Sequence, residues 1–339
     1  MTSLKYTDEI AQETAALYEK LQPQFSHERW EDLAPYIVEI NRLKKEKNAV
    51  ILAHNYMTSD VFYGVGDIVG DSLGLARMAA QSDADMIIQA GVHFMAETSK
   101  ILCPEKKVIM PDMEAGCSLA EGITAEELRA FKAKHPGAPV VTYVNTTADV
   151  KAESDVCCTS SNAYKIIEGL ANEGHKRIIM APDQYLAKNV AIEAKKNGLD
   201  VEIIIWEGSC IVHERFTPQD VKDLRAEHGN VVVLAHPECP PEVMAEADYT
   251  GSTAQMDDFI KTNQPKKAIL MTECSMSDNI AVANPDVEMV GTCQMCPFMK
   301  RITLPKILKA LQSEGPEVIV DPAIAERARH PIERMLKMS

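Results

Sequence analysis

A chain of 339 residues with 46% apolar side chains can bury a large core, and by length it holds one big domain or about two to three small ones. Its formal charge of -15 disfavours nucleic acid and anionic membrane surfaces as partners, because Lys and Arg fields attract those. The longest apolar runs, such as Ala49 to Ala53, fall far short of the roughly 18 to 20 residues that span a bilayer.

The opening segment MTSLKYTDEIAQETAALYEK carries acids early and lacks the basic stretch, apolar core and cleavage site of a secretory signal, so a cytoplasmic protein is expected. Residues 1–47 read as amphipathic helices that pack on the first α/β unit. From residue 48 onward, short Val- and Ile-rich runs alternate with helical segments, the pattern of parallel strands with crossover helices, and the class is α/β.

The first unit, 48–137, begins with the strand AVILAHNY, which reaches His54, and continues through GDSLGLARMAAQ, a turn and helix from Gly70. Strands at Met86 to Ala90 and Lys107 to Met110 come next, and PDMEAGCS brings in Cys117. The second unit, 138–229, repeats the order: PVVTYVNT with Tyr143 and Asn145, CTSSNAYKIIEGL from Cys158, strands at Arg177 to Ala181 and Val201 to Trp206, then Cys210 in IIWEGSCI. The third, 230–300, does so again with NVVVLAHPE, carrying His236 and Glu238, TGSTAQMDDFI from Thr250, strands at Lys267 to Met271 and Val287 to Val290, and Cys296 in VGTCQMCP. A tail, 301–339, reads as helix, strand (EVIVD) and helix (PAIAERARHPIERML), expected to pack back on the first unit.

The repeat is about ninety residues long, and the steps His54 to Cys117, Tyr143 to Cys210 and His236 to Cys296 are 63, 67 and 60 positions. The three cysteines therefore hold equivalent places. Because open parallel sheets gather ligand-contacting residues outside the carboxyl ends of their strands, the expected architecture is three homologous three-layer α/β subdomains. Their parallel sheets stand with pseudo-threefold symmetry around a central active site.

Nine cysteines in a chain of this kind argue against a disulfide framework. Cys103, Cys157, Cys158, Cys239 and Cys274 read as core or near-site thiols, since free cysteine is among the most buried residue types. Cys293 with Cys296 forms a lone C-x-x-C, weak as a zinc site or redox pair. Cys117, Cys210 and Cys296 point to one iron–sulfur cluster: thiolates suit its irons, and three of them leave one iron open to act as a Lewis acid. Gly116, Gly208 and Gly291 permit close backbone approach beside them.

Around this centre, Ser72, Ser160, Ser252 and Thr253 begin helices, where a hydroxyl either caps the helix or, with the nearby amides, receives a carboxylate or phosphate. His54, Tyr143, Asn145, His236 and Glu238 end the first strands; they supply imidazole, phenol and carboxyl groups for proton transfer, with Glu238 the preferred general base.

The motifs ILAHNY, GDSLGLA, PDMEAGCSLAEG, TYVNT, CTSSNA, GSCIVHERF, AHPEC, TGSTAQM and CPFMK, running from about Leu43 into the tail, resemble those of the quinolinate synthase family of bacterial NAD biosynthesis. The resemblance implies one [4Fe-4S] cluster per chain on Cys117, Cys210 and Cys296. It also implies condensation of iminoaspartate with dihydroxyacetone phosphate to quinolinate, phosphate and water. Substrate positions carry over to His54, Ser72, Tyr143, Asn145, Ser160, His236, Glu238 and Thr253, with Ser252 as a neighbour; Glu238, Tyr143, His54 and His236 are the acid–base candidates. The partners implied are the two substrates, L-aspartate oxidase or aspartate dehydrogenase as the source of iminoaspartate, and iron–sulfur assembly proteins. Some relatives carry C-x-x-C-x-x-C before the third ligand, but Gly291 and Thr292 precede Cys293 here. Another cluster-dependent hydro-lyase, or a non-enzymatic iron–sulfur sensor, is the competing reading; a sensor of nucleic acid would need a basic recognition surface.

Overall fold

In a computed structural model of the chain, which describes residues 4–291 and 293–339, three four-stranded parallel sheets recur with one topology. Thr292 lies outside the described residues. The first sheet consists of β1 (Ala49–His54), β2 (Ile68–Gly70), β3 (Met86–Ala90) and β4 (Lys107–Ile109). The second consists of β5 (Val140–Tyr143), β6 (Val156–Cys158), β7 (Arg177–Ala181) and β8 (Glu202–Ile205), and the third of β9 (Val232–Ala235), β10 (Tyr249–Thr250), β11 (Lys267–Met271) and β12 (Glu288–Met289). Their orders, β2-β1-β3-β4, β6-β5-β7-β8 and β10-β9-β11-β12, are the same order three times. The fold is α/β as the sequence predicts, with one edge strand more per unit.

The central strands explain the apolar runs. Every residue of β3 and β5 is buried, as in parallel sheets covered on both faces. The extra edge strands are held by a repeated aspartate: Asp67, Asp155 and Asp248 each take the backbone N–H of the central strand, at Ile51 (2.8 Å), Val140 (2.7 Å) and Val233 (2.8 Å). Each of those amides lies three residues before His54, Tyr143 or His236. Helices then open at Ser72–Gln81, Ala163–Asn172 and Thr253–Asn263 and bury their apolar stripes, for example Ile166, Ile167 and Leu170. Among the described residues, no helix is long and apolar enough to cross a membrane.

The N-terminal helices Asp8–Leu21 and His27–Glu46 lie on the first unit, and the tail helix Leu304–Ser313 packs on His27–Glu46 and β3. The last helix, Pro322–Met338, lies mainly across Ala148–Ala152 and β6 of the second unit, touching His93–Leu102 of the first as well. This differs from a tail resting on the first unit alone. The expected strand EVIVD is reduced to one antiparallel bridge, Ile109 with Glu317. Pro316 before it offers no N–H to a ladder and Pro322 after it starts a helix.

One cysteine expectation needs correction. Cys274 and Cys293 form a disulfide, with Cα atoms 4.8 Å apart. The bridge between Glu273 and Gln294 lays the Cys293 loop over the start of helix Cys274–Ala283, and this brings the two sulfurs together. The other seven cysteines are free.

Candidate active site

Cys117, Cys210 and Cys296 each sit in the same backbone cradle. The N–H that opens the helix after the second long strand donates to the carbonyl two residues before the cysteine: His93 to Ala115 at 2.8 Å, Gln184 to Gly208 at 2.8 Å, Cys274 to Gln294 at 3.4 Å. The cysteine's own carbonyl accepts from four residues on: Glu121 to Cys117 (2.9 Å), Glu214 to Cys210 (3.0 Å), Lys300 to Cys296 (3.2 Å). Each sulfur is also faced by the amides two and three residues ahead, Leu119 and Ala120, Val212 and His213, Phe298 and Met299, which favour the thiolate. Gly208 is required: a Cβ there would collide with the Pro182 carbonyl. Gly291 adopts φ +141°, a conformation that favours glycine.

All three sulfurs line one cavity together with His54, Tyr143, Asn145, His236 and Glu238. Burial pushes the Cys117 thiol up to about 12 and also raises Cys210 and Cys296. Thiols so raised keep their protons unless a cation takes their place, and a cysteine bound to metal is deprotonated. Behind Cys296, the buried Glu273 accepts from the Cys296 N–H (3.3 Å) and pairs with Lys300 at 2.7 Å, fixing that loop.

A chain of polar side chains, all but the buried Thr272 lining the cavity, runs beside it. The Tyr56 hydroxyl lies 2.6 Å from Thr272 Oγ1, which lies 2.9 Å from His213 Nε2. His213 Nδ1 lies 2.9 Å from Glu238 Oε2, and the Tyr143 hydroxyl donates to Glu238 Oε1 at 2.6 Å. These five residues come from all three units. Burial alone would raise the Glu238 carboxyl; His213, His236 and the Tyr143 hydroxyl outweigh it and hold Glu238 below the usual carboxylate range. His213 Nδ1 also lies 3.2 Å from Cys210 Sγ. Cys210, His213 and Glu238 are thus grouped closely enough to hold a metal ion.

His54 and His236 are built alike. In each, Nδ1 accepts the backbone N–H two residues on, from Tyr56 at 3.2 Å and from Glu238 at 3.3 Å. That fixes the tautomer, leaving Nε2 as the N–H donor. Burial lowers His54 to about 4 against the opposing charge of Glu238, and His236 to about 3. Both rings are neutral at pH 7.

At the helix starts, neighbouring residues divide the labour. Asp71, not Ser72, caps helix Ser72–Gln81 by accepting from Gly74 N–H at 2.8 Å, and Ser72 lines the cavity. Ser160 lines it too, while Thr253 lines it and accepts from Asn55 Nδ2 at 2.8 Å. Ser252 instead caps helix Thr253–Asn263 in a capping box with Gln255, and it does not line the cavity. The Asn145 Oδ1 atom is buried with no partner among the described residues, and an orphaned acceptor at a cavity wall is suited to a ligand.

Tyr56, Thr272 and His213 join this polar chain, and sequence reasoning does not single them out. Two signals point toward them: Tyr56 ends the motif ILAHNY two residues after His54, and His213 follows Cys210 by three.

Comparison with known proteins identifies the family of the chain as a whole. The family described as Quinolinate synthetase A protein matches residues 38–337. Quinolinate synthase of Caulobacter vibrioides (strain NA1000 / CB15N) is 54% identical over 98% of this chain and 90% of its own. Quinolinate synthase 2 of Mesorhizobium japonicum is 54% identical over 96% and 98%, and quinolinate synthase of Xylella fastidiosa (strain Temecula1) is 58% identical over 88% and 85%.

Proposed function

The chain belongs to the Quinolinate synthetase A protein family, and from that membership we propose that it is an enzyme of NAD biosynthesis that condenses iminoaspartate with dihydroxyacetone phosphate, releasing quinolinate, phosphate and two waters. The observation that carries the reading is the meeting, on one cavity wall, of three equivalent cysteine cradles and a polar chain anchored on Glu238. An anionic substrate pair, a thiolate-held cluster and several proton transfers all need such a site.

The donor set fits a [4Fe-4S] cluster: three thiols, each faced by two amides that favour sulfur charge, with glycine where the backbone must close in. Cys117, Cys210 and Cys296 would hold it, and when bound it supplies Lewis acidity toward a substrate oxygen at the iron without a protein ligand.

The protein's own groups divide the remaining work. His54 and His236, neutral and with Nδ1 occupied, present Nε2–H donors to carboxylate or carbonyl oxygens. Ser72, Ser160 and Thr253 offer hydroxyls, and Asn145 an unpartnered amide oxygen, to the rest of the two substrates. Holding both reactants in one cage replaces a bimolecular encounter by a local one. Glu238 takes a proton from the attacking carbon; Tyr143, which donates to the same carboxylate, gives its own hydroxyl proton to the reacting group and is reprotonated by Glu238, and His213 takes up or returns a proton during imine closure and dehydration.

Iminoaspartate would come from L-aspartate oxidase or aspartate dehydrogenase, and the cluster from iron–sulfur assembly proteins, in the cytoplasm. The test is anaerobic reconstitution with iron and sulfide, then incubation with both substrates and mass-spectrometric detection of quinolinate. Cluster-dependent quinolinate is the expected result; a loaded cluster without quinolinate, under conditions where a known quinolinate synthase works, would favour a hydro-lyase or a sensor.

A further inference from the structure

At two of the three junctions between units, a single asparagine amide crosses the boundary and holds the backbone on both sides of a cavity residue. Asn189 stands five residues into helix Gln184–Lys196 of the second unit. Its Nδ2 donates to the carbonyls of Pro237 and Cys239 in the third unit, both at 2.9 Å. Glu238 lies between them. Asn279 stands five residues into helix Cys274–Ala283 of the third unit, and its Nδ2 donates to the carbonyls of Asn55 (3.2 Å) and Met57 (2.8 Å) in the first. Tyr56 lies between those.

The third junction lacks the device. The matching position, five residues into helix His93–Leu102, is Thr98, whose hydroxyl turns back to the Phe94 carbonyl at 2.8 Å. There the carbonyl following Asn145, that of Thr146, is held by the buried ammonium of Lys151 from its own unit.

An amide nitrogen has two hydrogens in one plane, and both are used by Asn189 on carbonyls two residues apart. The Pro237 carbonyl belongs to the peptide entering Glu238 and the Cys239 carbonyl to the peptide one residue beyond, while the peptide leaving Glu238 is held by the Cys239 N–H on the His236 carbonyl at 2.9 Å, as Met57 N–H holds the His54 carbonyl at 2.9 Å beside Tyr56; together these bonds fix the direction of the Cα–Cβ bond. A tie that merely joined two units would need only one of them. We infer that Asn189 is a positioning residue for Glu238, aiming its carboxylate at the Tyr143 hydroxyl and His213 Nδ1, and that Asn279 does the same for Tyr56. The inference rests on the role given to Glu238 in the proposed reaction.

The test is Asn189→Leu, similar in volume and without donors, with Asn189→Ala in reserve should that variant not fold. Cluster absorption should match the unsubstituted protein, kcat for quinolinate should fall about tenfold or more, and KM for both substrates should stay within about twofold. In a Glu238→Gln background the same substitution should cost less than about twofold, because residues acting through one group are not additive. A full, additive loss in that background, or an unchanged kcat, overturns the inference. A second readout does not depend on the reaction: in cluster-free protein labelled with 15N-histidine, Asn189→Leu should shift the His213 ring signals. Unshifted signals overturn the inference whatever the protein catalyses, while a protein that makes no quinolinate yet shows the shift loses the reaction and keeps the clamp.

Discussion

The two ends of the cavity obey different rules. At the cysteine pole the three units are copies: the same carbonyl held by the same helix start, the same carbonyl-to-amide turn, the same pair of amides at each sulfur. At the strand ends the copies diverge, with His54, Tyr143 and His236 at one level and Tyr56, Asn145 and Glu238 two residues further on. A cluster with near-equivalent irons accepts a threefold socket. Two unlike substrates do not, and the divergence lies where they would meet the protein.

The largest test of this contrast is serine at each cysteine in turn. Cys117→Ser, Cys210→Ser and Cys296→Ser should each abolish cluster absorption and reduce quinolinate formation to background, and all three should do so alike. A variant that kept full iron and sulfide would break the equivalence of the pole. At the other end the losses should be unequal and the cluster spared. Glu238→Gln should keep the cluster spectrum while lowering kcat by roughly 10²- to 10⁴-fold, the range of a positioned acid–base group, and near-normal turnover would remove Glu238 from the mechanism.

The smallest effect is on stability. His54 and His236 are held neutral, at about 4 and about 3, against an ordinary value near 6.5 in the unfolded chain. The unfolded chain therefore binds protons that the fold refuses. Stability is complete above the ordinary histidine value and is lost as pH falls toward the folded values, by on the order of 3 kcal/mol for His54 and about 5 kcal/mol for His236. Thermal melts of cluster-free protein between pH 7 and pH 4 should show that fall, and His236→Gln should flatten it; an equally steep slope in the variant would mean that His236 is not held neutral.

Much of this is legible in the sequence because it is periodic. Buried central strands leave runs such as AVILA and VVVLA, and a repeat of such runs locates the cysteines by arithmetic alone. The edge strands β2, β6 and β10 are not legible: two or three residues long, they carry no alternation, and a distant aspartate amide bond defines each one. The choice of Asp71 over Ser72 as helix cap, and of Ser252 as cap beside a cavity-facing Thr253, is one of backbone geometry between neighbours that both suit the task. Tyr56, Thr272 and His213 escape for a different reason, since each acquires its meaning from a partner more than fifty residues away. The bond between Cys274 and Cys293 likewise depends on how one loop lies over one helix end.

The polar chain from Tyr56 through Thr272, His213 and Glu238 to Tyr143 draws on all three units, and this bears on how such a protein can arise. A ring of three identical small subunits would build the sulfur socket, but it would place the same residue three times at every strand end. It would carry three copies of Glu238 or none. Joining the copies into one polypeptide lets each drift separately while the three cysteine cradles stay alike, so the fused chain is what allows a single buried carboxylate to stand opposite three equivalent cysteines.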